Sequence, residues 1–211
     1  MQPHAPDQSL ADTRRALHGV AELLLAGPQH AASRTVRLRV QPGGFATIAD
    51  PAVRLAAGRV EHDGRSAVVS GSTPQDLLDG LGLQHSSLSE VYSDGSDVGL
   101  DERLTVDAAA YDELTRAWAW GDAALRRIAP EQEPVLWPEH FDVGISLDEV
   151  NYGVSPGDSA ITVPYAYVGP WTPRPVDAFF AYPFGAARPI TELGDAGGVA
   201  AFFEEGRRRA S

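Results

Sequence analysis

Apolar residues recur along the chain with two distinct periods. Leu10, Leu17, Val20 and Leu24 are spaced by seven, three and four, the stripe of one helix face, while Arg14, Arg15, His18 and Glu22 lie largely off it. Ser9-Leu10-Ala11-Asp12 has the form of a capping box at its start, and Gly27-Pro28 is expected to stop it. The period then changes to two: Val36, Leu38 and Val40 point one way and Thr35, Arg37 and Arg39 the other. Pro42-Gly43-Gly44 turns the chain into a second strand near 45–48, and a third strand holds Val60 and ends at His62. Asp63-Gly64 is a two-residue hairpin signal, because both positions tolerate positive φ, and it leads into a strand at 65–70. Thr73-Pro74-Gln75-Asp76 opens a short helix, with proline at its first position and an acid at its third.

A polar, glycine-bearing stretch over 84–106 reads as a connecting loop. The longest helix is expected over about 107–128, with Tyr111, Leu114, Trp118, Leu125 and Ile128 as its core stripe and Gly121 where something packs closely. Trp120 lies off that stripe, so a second face is expected to be covered. Strand-like runs follow at 141–147 and 160–168, flanking a loop rich in Gly, Pro and Asn. A further strand at 178–184 contains Pro183 and so belongs at an edge. A last helix after the glycines at 194–198 carries Val199, Phe202 and Phe203. The pattern is α+β: antiparallel sheets with helices packed mainly on one face, in two similar α–β–α halves at about 9–83 and 107–206. Both halves are read as one domain, with residues 1–8 a disordered N-terminus and 207–211 a basic tail.

Composition narrows the chemistry. The 211 residues include no cysteine, which closes thiolate nucleophiles, disulfides and cysteine metal sites. All 17 basic residues are arginine, so lysine Schiff bases, a pyridoxal phosphate anchor and a P-loop lysine are closed as well. A net charge of −12 opposes contact with phosphate backbones, so no nucleic-acid partner is expected. The N-terminal residues lack a signal-peptide pattern and no apolar run approaches a membrane span, so the sequence reads as a soluble cytoplasmic protein with no membrane partner.

Some of these pieces carry a likeness. Leu17-His18 in the first helix, Gly44-Phe45-Ala46-Thr47 after the first turn, Phe141-Asp142-Val143 opening a strand behind a Trp, and the aromatic-rich 179–183 run resemble an uncharacterised actinobacterial family, a domain of unknown function. The resemblance covers most of the chain and implies a layout without a chemistry. The chain departs from that family in its 151–158 loop.

Candidate chemistry concentrates at 137–171. His140-Phe141-Asp142 has the H-x-D form of non-haem iron sites, but no distal histidine follows it, and no metal or other cofactor is expected. Glu139, Asp142, Asp148 and Glu149 are carboxylates suited to acid–base work, but among 29 acidic residues a solvated face is the favoured reading of them. The acidic loop at 94–101 lacks EF-hand spacing, and Gly144-Ile145-Ser146-Leu147-Asp148 fails as a nucleophile elbow at its last position. Trp137, Asn151, Tyr152, Tyr165, Tyr167 and Trp171 combine aromatic walls with polar tips, as a small-molecule site needs and as a core also uses. Three functions follow as expectations. The first is binding of a small-molecule ligand by that set. The second is hydrolytic or acid–base catalysis by His140 with Asp142 or Glu139, with Asn151 and Tyr152 as orienting donors. The third is a partner-binding structural domain anchored by Trp171, which sits in a proline-stiffened loop. The oligomeric state is not legible in the sequence.

Overall fold

A computed structural model describes residues 8–210 and shows an α+β fold whose strands pair antiparallel. The chain divides into two compact units, 1–115 with 136–141, and 116–135 with 142–211. Each unit contains helix, antiparallel strands and helix in chain order. The expected disordered segment falls, except for Gln8, outside the described residues.

In the first unit, helix α1 (Gln8–Gly19) leads into a π-helical segment (Val20–Ala26) and helix α2 (Gly27–Ser33). The stripe of Leu10, Leu17, Val20 and Leu24 is buried as expected. Gly27-Pro28 does not stop the helix. The Gly27 N–H bonds to the Glu22 carbonyl, five residues back, so the helix widens and restarts at Gly27. Pro28 then falls in the first turn of α2, where no N–H is required. The helix already includes Gln8, the first described residue, which places Ser9 inside it rather than at a flanking cap.

Five strands follow: β1 (Leu38–Gln41), β2 (Gly44–Thr47), β3 (Val53–Ala56), β4 (Arg59–His62) and β5 (Arg65–Val68). Each pairs with the next, and β1 also pairs through Leu38 with Leu136 of β6 (Val135–Trp137). The Asp63-Gly64 hairpin forms, with both residues at positive φ and His62 opposite Arg65. Strand β3 is an addition to the expected set. Val53 and Leu55 are buried while Arg54 between them is exposed, so this sheet has a core face and an outward face. The π-helical segment packs on β1, β2 and β3. Helix α3 (Pro74–Leu81) packs on β4 and β5 and carries the expected capping box between Thr73 and Asp76. The 84–106 stretch is not a free connector. It belongs to this unit, tied to the first helix by the Ser96 N–H and hydroxyl, which both donate to Glu22 at 2.8 and 2.6 Å.

Helix α4 (Ala108–Ile128) matches its expected span. Tyr111, Leu114, Trp118 and Leu125 are buried, and the ring of the half-buried Trp120 is covered by Arg116 at 5.9 Å. The second unit holds β7 (Asp142–Leu147), β8 (Val150–Ser155), β9 (Tyr165–Pro170) and β10 (Ala186–Pro189). Short α5 (Ile190–Leu193) and α6 (Ala196–Ala210) follow. One face of β7–β9 is apolar: Val143, Val154 and Ala166 form one cross-strand row, and Ile145, Tyr152 and Val168 the next. Gly121 of α4 meets this face, where an added Cβ would lie 2.7 Å from Val154 and 2.9 Å from Val143. Phe203 of α6 meets it through Tyr152, edge to face at 5.9 Å.

Three expectations in this unit are corrected. The glycine- and asparagine-bearing loop is strand β8, joined to β7 by Asp148 and Glu149 alone, both at positive φ. The 178–184 run is no strand. Asp177 accepts the N–H groups of Phe179 and Phe180 at 2.7 and 2.6 Å, bending the chain there; Tyr182 and Gly185 form an isolated bridge, and strand pairing resumes at β10. The basic residues 207–209 are not a tail but the last turns of α6. Arg207 pairs with Asp148 at 2.8 Å, and Arg209 pairs with Glu205 at 2.8 Å and covers the Phe179 ring.

Candidate functional site

The register of β7, β8 and β9 dictates what the face opposite the core carries. Gly144, Gly153 and Tyr167 form one cross-strand row, and Ser146, Asn151 and Gly169 the next. Ser155 stands opposite Tyr165, at the level where β7 begins with Asp142. Beyond the last row, the Trp171 N–H bonds to the Glu149 carbonyl at 2.9 Å. Alternation along strands thus separates a polar, aromatic face from the valine face beneath.

Tyr167 lies flat on its own row. An added Cβ at Gly153 would stand 2.5 Å from the Tyr167 hydroxyl, and one at Gly144 3.1 Å from it. The two glycines make the trough that lets the ring cross two strands, and its hydroxyl donates to Asp142. Asp142 is buried and Tyr167 half-buried. Burial and the adjacent Asp142 carboxylate hold the Tyr167 phenol well above its ordinary pKa. Tyr165 repeats the pairing one row away, donating to Asp158 at 2.6 Å, and burial with that bond also raises its pKa. The two rings meet edge to face at 6.4 Å. Both phenols are therefore neutral donors committed to carboxylates.

At the other end, Asn151 Oδ1 accepts from the Ser146 hydroxyl at 2.7 Å and from the Trp171 indole N–H at 3.1 Å. Trp171 is 61% exposed, yet its ring is held by a side-chain bond. With Oδ1 occupied by two donors, the Asn151 amide NH₂ is directed away from them on an exposed residue.

Of the residues expected to act together, this face collects Asp142, Tyr165, Tyr167, Asn151 and Trp171. Tyr152 is not among them. It projects from the opposite face of β8, is fully buried, and its hydroxyl has no hydrogen-bond partner among the described residues; burial raises its pKa. Trp137, Glu139 and His140 belong to the first unit. Trp137 lies in β6 with the Arg37 guanidinium 5.6 Å over its ring. His140 is exposed in the turn at 138–141, closed by the Phe141 N–H on the Trp137 carbonyl at 2.8 Å. Phe141 has φ 55°, so His140 and Asp142 are not alternate residues of one strand, and the shared face expected of an H-x-D pair is lost.

Sequence reasoning missed Asp158, Ser146 and the Gly144–Gly153 trough. Two glycines on adjacent segments, each beside β-branched residues, are the signal that an aromatic ring crosses there. Among the described residues no group of three His, Asp or Glu side chains is placed to hold a metal ion, and no helix is long and apolar enough to cross a membrane. No family model matches the chain, nor does any curated protein or solved structure.

Proposed function

We propose that the chain binds a small molecule on the polar face of β7–β9, with the ligand stacked on Trp171 and hydrogen-bonded to the Asn151 amide. The observation that carries this reading is the orientation of an exposed indole by Asn151, itself oriented by Ser146. An exposed tryptophan free to rotate loses side-chain entropy on binding, whereas one already held does not. The ligand that suits the arrangement has a flat, weakly polar face and an acceptor at its rim. The Tyr–Asp pairs stiffen the sheet below it, and a site on strands is held more rigidly than one on loops.

A thermal-shift screen of neutral metabolites tests the reading, with tryptophan fluorescence on the hits. A ligand that binds only the folded chain raises its midpoint. The expected result is a hit whose stabilisation is lost in W171A and weakened in N151A. A screen without hits, or hits that stabilise W171A equally, would overturn it.

A second reading, partner binding, is favoured by a separate observation. Val163, Trp171, Val176 and Phe184 are exposed large apolar side chains within one stretch of the second unit, and Val176 is 79% exposed. Exposed apolar side chains recurring along one segment suit an interaction surface where they face one partner. Light scattering across a concentration series, beside a W171A/F184S variant, separates the readings. Self-association lost in that variant supports the second, and a monomer throughout removes self-association as its basis.

A further inference from the structure

The outward face of β1–β5 carries a groove of about 540 Å³, a size suited to small ligands. Its centre is set by register. Arg39 stands opposite Ala46, Ala46 opposite Arg54, and Arg54 opposite Glu61. The two arginines therefore rise from strands on either side of β2, roughly 10 Å apart at the backbone, with only a methyl group between them. Arg54 is held from its far side: its Nε and Nη2 donate to Glu61 Oε2 at 2.8 and 2.5 Å. Arg39 is exposed and enters no ion pair among the described residues. Arg65 and His62 border the groove from the row that carries buried Val53, so neither rises from its floor: the Arg65 guanidinium lies against Gly82 at the end of α3, and His62 is fixed through Nδ1 to the Ala52 carbonyl at 3.0 Å. Against these stand the carboxylates of Glu61, already engaged, and Asp63, at the hairpin turn. On a chain of net charge −12, this floor between two arginines reverses the prevailing sign.

We infer that the groove binds the oxyanion group of a small ligand, a carboxylate or phosphate, between Arg39 and Arg54 above Ala46. Guanidinium N–H donors match planar and tetrahedral oxyanions; Glu61 takes the Nε–Nη2 edge of Arg54, which leaves its Nη1 donors and the whole fork of Arg39 for a ligand over Ala46, two cations where one arginine supplies one. Glu61 does not compete for the space, because it contacts Arg54 from the side away from Ala46; it orients that guanidinium. The surrounding negative charge weakens association of a bare anion at long range, so recognition is local and falls with salt. This inference is independent of the Trp171 site, which lies in the other unit and uses no charged group.

The test is an amide-resolved NMR titration of the full chain with inorganic phosphate and, separately, citrate, at ionic strength held constant with sodium chloride. The expected result is a saturable shift at residues 39, 46 and 54 with either or both anions, weakened about tenfold or more in R39Q and abolished in R39E. Arg59 lies on the same strands outside the groove and donates to Ser66, so R59Q is expected to leave the titration unchanged. Saturation by phosphate alone marks the site for phosphorylated ligands, and by citrate alone for carboxylates. The inference is overturned by shifts that never saturate, by an equal response to chloride, or by R59Q weakening binding as much as R39Q. Arg39 is exposed, and the spectrum itself reports whether each variant is folded.

Discussion

The Tyr167 hydroxyl donates to the Asp142 carboxylate from two strands away, its ring lying across Gly153 and Gly144. This bond staples β9 to β7 over β8, which neither the backbone ladder nor the valine face does. Removing the hydroxyl leaves a buried carboxylate one donor short. Y167F is expected to destabilise the fold by ~1–3 kcal/mol, measured by urea denaturation. D142N keeps an acceptor at that position and should cost less. In the double-mutant cycle of Y167F with D142A, each of which removes the bond, a coupling above ~0.5 kcal/mol is expected; additivity within that margin would show that the contact contributes nothing of its own.

Gly121 brings α4 onto the sheet at a distance no side chain tolerates. G121A gains helix propensity of about 1 kcal/mol but drives a methyl into Val154 and Val143. The expected net effect is a loss of roughly 1–2 kcal/mol, because the valines belong to a buried sheet face with no room to retreat. V154A opens that room. The G121A/V154A double variant is expected to be more stable than the two single costs imply, by ~1 kcal/mol in denaturant melts.

What was legible in the sequence was local chemistry. The Thr73–Asp76 capping box, the Asp63-Gly64 hairpin and the span of α4 each depend on residues within a few positions of one another. Strand β8 was not legible, because its turn uses Asp148 and Glu149 at positive φ where a glycine is the usual mark. That omission had a price at the site. Reading 150–155 as loop leaves Tyr152 free to join Tyr165 and Tyr167, whereas alternation along a strand sends it to the core beside Phe203. The shared face of Tyr165 and Tyr167 was legible from their spacing. Their partners Asp142 and Asp158 were not, since pairing across strands and from a loop depends on register that no local pattern encodes. Phe141 misled for a similar reason: a left-handed residue inside His140-Phe141-Asp142 undoes the alternation on which that motif rests.

His18 should give the fold an acid-sensitive term. Its ring stacks on Phe141 at 5.0 Å and its Nε2–H donates to the Pro138 carbonyl at 2.6 Å. Burial lowers its pKa, as do the nearby His140 and Arg14, while the Pro138 bond and Glu22 oppose the shift. The unfolded chain therefore takes up this proton first as pH falls. The stabilisation is complete above the ordinary histidine pKa near 6.5 and is lost as pH drops below it toward the folded value. H18Q retains a donor but does not titrate. Its urea midpoint should fall less than that of the wild type between about pH 7 and pH 5, although it starts lower through loss of the stacked ring. An equal fall in both proteins would assign the acid sensitivity elsewhere.

The β7–β8 turn offers a stabilising change. Asp148 and Glu149 alone connect Leu147 to its partner Val150, at φ 53° and 60°. A left-handed residue with a side chain costs about 1–2 kcal/mol, which glycine avoids, and glycine returns about 0.5–1 kcal/mol of that through the entropy of the unfolded chain. E149G is therefore expected to raise stability by up to ~1 kcal/mol. The Glu149 carbonyl keeps its bond from the Trp171 N–H, since that contact is backbone to backbone. D148G relieves the same strain but removes the carboxylate that pairs with Arg207, a surface pair of two exposed side chains worth at most ~1 kcal/mol. Its gain should be smaller than that of E149G. Urea midpoints of both variants decide the matter: a loss of stability in E149G would mean that the turn is held left-handed by contacts of the Glu149 side chain rather than at its expense.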